Sequence, residues 1–141
     1  MSATGLKIVD DAVQSTNEWV NAVNERTSWD HKHRSYRLLR SVLHAVRDHL
    51  SVDEAAQLAA QMPVLVRGIF YEGWNPSKTP VVEHSKDGFI AIVQKAFQTD
   101  PMGDAEQAIG AVMQVLDEKI SAGEMDDVKN SFSKEIRTMF G

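Results

Sequence analysis

Shifting the chain by 70 residues lays Trp19–Phe70 on Phe89–Phe140 without a gap, and the apolar pattern coincides along the whole overlap. Trp19 falls on Phe89, Val23 on Val93, Val42 on Val112, Leu50 on Ile120, Leu58 on Val128, Met62 on Phe132, Val66 on Ile136 and Phe70 on Phe140. Few residues are identical, yet helix starts, apolar faces and breaks align together, as a duplicated helical unit requires. A helical unit with a single apolar face is poorly stable alone, so two copies are expected to bury those faces against each other. The expected fold is all-α, with about eight helices forming two tandem four-helix repeats, residues 19–70 and 89–140. A linker over 71–88 joins them, and both pack into one domain covering 1–141.

The individual helices follow from periodicity and punctuation. Val9, Val13, Thr16, Trp19, Val20 and Val23 recur at three- and four-residue spacing and predict a first helix from about Leu6 to Arg26 with this stripe turned to the core. N-cap residue types gather in Thr27-Ser28-Trp29-Asp30, and a second helix from Arg34 carries Leu38, Leu39, Val42, Leu43, Val46 and Leu50. Ser51 and Glu54, like Ser121 and Glu124, are spaced as capping boxes, the hydroxyl accepting from the third helical amide and the carboxylate reaching back to the cap. The third helix is alanine-rich, and Pro63 opens a short fourth. Residues 72–87 hold Pro76, Pro80 and several turn formers without helical period and read as the crossing loop. Gly88–Phe97 recovers an apolar face, Asp100-Pro101 reads as a cap with proline at the first helical position, and three further helices are expected over 104–119, 121–131 and 133–140.

Composition narrows the function classes. Apolar and charged residues make up 43% and 25% of the chain, ordinary values for a globular protein. The absence of cysteine excludes disulfides, thiolate metal sites and thiol catalysis. The start shows no apolar run of signal-peptide length, and no stretch of 18 apolar residues occurs, so no membrane association is expected and the cytoplasm is the expected location. A net charge of −5 argues against broad nucleic-acid affinity.

The run LLRSVLHAVRDHLSVDEAAQLAAQMPVLVRGIFYEGWNPSKTP, with Leu39-Arg40, Leu43-His44, Arg47-Asp48, Glu54-Ala55-Ala56, Pro63, Arg67-Gly68, Tyr71-Glu72-Gly73-Trp74, Pro76 and Pro80, closely resembles the diagnostic segment of a family of uncharacterised bacterial proteins catalogued as domain of unknown function 2267. The likeness is weaker over the second copy, where Ser133 stands at the equivalent of Pro63 and no Gly-Trp follows Phe140. The resemblance implies a helical bacterial protein and brings no activity with it.

Three groups of residues are candidates for function. Between His31 and Arg47 lie five cations and no acid, with Arg34, Arg37, Arg40, His44 and Arg47 on the polar side of the second helix. Asp104–Glu135 carries eight acids against three lysines. These opposite charges read as solvated surface, as internal pairs such as Arg34 with Asp104 and Arg47 with Asp117, or as contacts to a partner. Tyr71 and Trp74, at the entry to the proline loop, read either as an interface anchor or as a plug folded over the core. The retained Arg67 and Arg137 read as anion ligands or as braces to a helix end. The histidines lack the spacing of a metal site, and no nucleophile stands beside a base, so neither cofactor nor catalysis is expected. The leading expectation is a non-catalytic protein-interaction module with self-association as its simplest partnership. The alternative is a small-molecule carrier or sensor whose apolar pocket between the repeats is lined by Met62, Phe70, Phe132 and Phe140.

Overall fold

The computed structural model describes residues 4–141; the first three residues, part of the N-terminal stretch weighed above as a leader, lie outside the described residues. Eight α-helices and no strand occur among the described residues, so the all-α expectation holds: α1 (Lys7–Thr27), α2 (Lys32–His49), α3 (Val52–Ala60), α4 (Val64–Tyr71), α5 (Lys86–Gln94), α6 (Ala105–Lys119), α7 (Ala122–Asn130) and α8 (Lys134–Arg137). Short 3₁₀ turns follow at Pro76–Lys78 and Lys95–Phe97. The bounds of α3 and α7 stand 70 residues apart, and so do the starts of α4 and α8, but α8 closes after 4 residues where α4 runs for 8.

The core is one continuous apolar cluster to which every α-helix contributes. α2 is its axis, packing against α1, α4, α5 and α6, while α3 lies against α7 and α5 against α8. Leu38, Leu39, Val42, Leu43, Val46 and Leu50 are all fully buried along α2, which matches the stripe read from the sequence. Near the end of α2, Phe89, Phe132 and Phe140 meet edge to face with centroids 5.0–5.8 Å apart, an arrangement that places ring edges against electron-rich faces. Met62 and Phe70 are buried in the same core, so Met62, Phe70 and Phe140 are packing residues, and Phe132 also borders a groove.

Several local expectations are corrected. The first helix does not turn its whole stripe inward: burial begins at Trp19, and Val9 and Val13 are 40% and 54% exposed. α2 starts at Lys32 with His31 as its cap, the ring Nδ1 accepting from the Arg34 amide at 3.1 Å, because Ser28 and Asp30 are spent on a left-handed turn. Asp100-Pro101 does not open a helix. α6 begins at Ala105, capped by Asp104 through the Gln107 amide at 3.1 Å, and Asp100 instead turns its carboxylate to the arginines of α2. The two capping serines do accept from the Glu54 and Glu124 amides at 3.2 and 3.3 Å; Glu54 also reaches back to its cap residue, accepting from the Ser51 hydroxyl at 3.2 Å, and contacts between helices add to both boxes. Ser121's amide donates to Gln61 Oε1 at 2.9 Å, and Glu54 receives the Ser131 hydroxyl.

Candidate interaction surface

The basic side of α2 divides into two sets, and neither forms a free basic face. An α-helix leaves its last carbonyls without intrahelical donors, and α4, ending at Tyr71, has its end against α2. Arg47, only 4% exposed, supplies the missing donors: Nη1 donates to the Phe70 carbonyl at 2.9 Å and to the Glu72 carbonyl at 2.8 Å. Nε and Nη2 of the same guanidinium donate to the Asp48 carboxylate at 2.8 and 3.2 Å. One turn earlier His44 donates through Nε2 to the Ile69 carbonyl at 2.7 Å, and Arg40 pairs with Glu72 at 2.6 Å. Burial holds the His44 pKa below its usual value. The Ile69 carbonyl opposes that shift, and the nearby Arg47 and Arg40 charges reinforce it.

Arg34 and Arg37 belong to the second set. Arg34 lies 3.7 Å over the Trp29 ring, donates from Nε to Asp100 at 3.1 Å and from Nη2 to the Pro101 carbonyl at 2.7 Å. Arg37 reaches the same Asp100 oxygen at 3.2 Å. The internal pairs expected from the 70-residue shift are therefore not the ones formed. Arg34 takes Asp100 instead of Asp104, Arg47 takes its neighbour Asp48, and Asp117 is paired with Lys129 at 2.8 Å. Helix ends and loops within reach decide these partners, and equivalent positions in the shifted sequence do not.

Tyr71 and Trp74 stack at 5.3 Å between centroids, and both rest half-buried against the core, the placement of a plug. The Trp74 indole nitrogen is buried and has no hydrogen-bond partner. Arg67 braces the end of α3 by donating to the carbonyls of Ala59 at 2.9 Å, Ala60 at 3.4 Å and Met62 at 2.9 Å. Its counterpart Arg137 reaches Asn130 Oδ1 at 3.2 Å and leaves Nε buried without a partner. Where α3 and α7 meet, burial and the neighbouring Asp127 and Glu54 charges raise the Glu124 pKa. Among the described residues no group of three or more His, Cys, Asp or Glu converges to hold a metal ion.

An apolar surface feature that the sequence reading did not single out lies along the start of α1. The first turns of α1 extend beyond the helices that cover its second half, leaving Leu6, Val9 and Val13 exposed in line with buried Val20. Beside them runs a groove of about 520 Å³ lined by Val13, Thr16, Asn17 and Val20 of α1, Lys32, His33 and Tyr36 of α2, and Leu65 of α4. The signal was present in the mismatch between two readings: the apolar stripe begins at Val9, but the 70-residue match begins only at Trp19. Residues before Trp19 thus had no equivalent in the second copy against which to be buried.

No helix among the described residues is long and apolar enough to cross a membrane. Comparison with protein families matches residues 16–139 to the family described as Uncharacterized conserved protein (DUF2267), and the chain belongs to that family. No curated protein matches it.

Proposed function

We propose that this member of the domain-of-unknown-function 2267 family is a non-catalytic helical interaction module, working in the cytoplasm, whose docking face is the exposed start of α1 with the groove beside it, and that its occupant is a second copy of the chain. The observation that carries the reading is the adjacency of ridge and groove. Leu6, Val9 and Val13 form an apolar ridge on the same face that offers a groove of about 520 Å³. A twofold interface uses one patch twice, so it needs a patch that is complementary to itself. Two α1 helices crossing antiparallel at Val13 would set each ridge in the other's groove.

Charge supports the same arrangement. With the axis at Val13, Asp10 of one copy lies opposite Thr16 and Asn17 of the other, where Lys32 stands on the groove rim and donates to Asn17 at 2.5 Å. The engagement of Arg40, His44 and Arg47 with the end of α4 favours α1 over α2 as the docking element.

Sedimentation over a range of concentration and salt tests the proposal. The wild type should show a monomer–dimer equilibrium that weakens with salt. Val13→Glu should be monomeric, with the melting temperature that the wild type shows at concentrations too low to dimerise, since Val13 is 54% exposed in the single chain. A wild type that stays monomeric at every concentration, or a Val13→Glu variant that dimerises as well as the wild type, would overturn it.

A further inference from the structure

The groove beside α1 is lined by two kinds of chemistry. One is aliphatic: Val20 is 7% exposed, while Val13 and Leu65 are 54% and 43% exposed and leave apolar surface open to water. A run of methylenes laid over such surface is drawn there by the hydrophobic effect. The volume of about 520 Å³ lies within the roughly 300–1,000 Å³ usual for small-ligand sites.

The polar lining is one-sided in charge. No Asp or Glu lines the groove, although the whole chain carries a net charge of −5, and the ionisable groups that do are Lys32, His33 and Tyr36. An ammonium has three hydrogens, and Lys32 gives one to Asn17 Oδ1 at 2.5 Å; among the described residues it meets no carboxylate. Among the same residues the Asn17 amide N–H groups and the Tyr36 hydroxyl make no hydrogen bond. The Thr16 hydroxyl is already donating, to the Ala12 carbonyl at 2.8 Å. The lining therefore offers donors, one of them cationic, beside an aliphatic surface. The ridge assigned above to this groove has the complementary chemistry, because Leu6, Val9 and Val13 stand beside the carboxylate of Asp10.

We propose that the groove binds a free aliphatic carboxylate of medium length, its carboxylate accepting from Lys32 Nζ and the Asn17 amide and its chain lying along Val13, Val20 and Leu65, and that this ligand releases the dimer by filling the place of the partner's ridge. The release rests on the self-association proposed above; the binding does not.

Titration of the full chain with octanoate, followed by amide chemical shifts, tests the site, and sedimentation of the same samples, with acetate as the control for salt, tests the competition. Saturable shifts at residues near 13–20, 32–36 and 65 are expected, with a dissociation constant on the order of millimolar for so small a probe. Each methylene covered should tighten binding by about three- to fourfold, so octanoate should bind roughly tenfold more tightly than hexanoate. Octylammonium, with the same chain and the opposite charge, should bind at least about fivefold more weakly. Lys32→Glu should reverse that order, and it should fold, since Lys32 is exposed at the first position of α2, where an acid suits the helix start. Shifts that grow linearly without saturation, or an unchanged preference for octanoate in Lys32→Glu, would overturn the site. Saturable binding that leaves the wild-type dimer intact would overturn the competition. A wild type that is monomeric throughout and still binds octanoate in a Lys32-dependent way would refute the dimer and uphold the site.

Discussion

Replacing Arg47 by Met is expected to loosen the end of α4 and cost a large share of the protein's stability. The guanidinium is 4% exposed and makes four bonds, two to the carbonyls of Phe70 and Glu72 and two to the Asp48 carboxylate. A hydrogen bond to a charged group contributes about 1.5–3 kcal/mol, and a carbonyl left buried without a donor costs about 1–3 kcal/mol. Two terms reduce the total. Removing the buried charge recovers its desolvation penalty, and Asp48, with its side chain 34% exposed, rehydrates once its partner is gone. The balance is a loss of about 2–4 kcal/mol, or roughly 10 °C in melting temperature for a domain of this size. Urea unfolding monitored by circular dichroism measures the global term. Amide exchange should localise it, with protection falling first at Phe70–Trp74, where the freed carbonyls and the Tyr71–Trp74 stack lie. Arg47→Lys keeps the charge but not the fork that spans Asp48 and both carbonyls, so its cost should be intermediate. A loss under about 1 kcal/mol for Arg47→Met, with protection at Phe70–Trp74 unchanged, would refute the assignment of Arg47 as the cap of α4.

The other expectations concern a titration and a pair of arginines. Because burial depresses the His44 pKa, the unfolded chain takes up a proton at higher pH than the folded one. His44 therefore contributes stability that is fully present above the ordinary histidine value of about 6.5 and is lost as pH falls through the depressed folded value. Denaturation midpoints of wild type and His44→Gln between neutral and mildly acidic pH should converge on the acid side, and parallel curves would contradict the sign. Arg67→Ala should cost about 1–2 kcal/mol through three lost carbonyl contacts, more than Arg137→Ala, which has one polar contact to lose and relieves an unpartnered Nε. Equal losses in thermal denaturation would show that the two arginines do the same job despite their different partners.

Legibility in the sequence followed the range of the interaction. Helix faces are set by chain geometry over a few residues, so the stripe Leu38–Leu50 and the caps Ser51 and Ser121 could be read directly. Asp100-Pro101 shows the limit, because its local chemistry suits a helix start and yet Asp100 is held by Arg34 and Arg37, 66 and 63 residues away. The candidate surface shows the same limit more sharply. Arg47 stands on the polar side of an amphipathic helix and reads as exposed, but α4 ends beside it with carbonyls that lack donors. The exposure of Val9 and Val13 was likewise invisible to periodicity, which reports that a face is apolar and not how far its neighbours reach.

The sequence by itself determined the all-α class, the polar and apolar side of each helix and most helix bounds, because each depends on spacing within one or two turns. Only the tertiary structure decided which arginines brace helix ends and which stretch of α1 is left uncovered. Those outcomes depend on where separate helices cross and stop, and a carbonyl, a charge or an apolar side chain is satisfied or stranded by whatever the fold brings within a few ångströms of it.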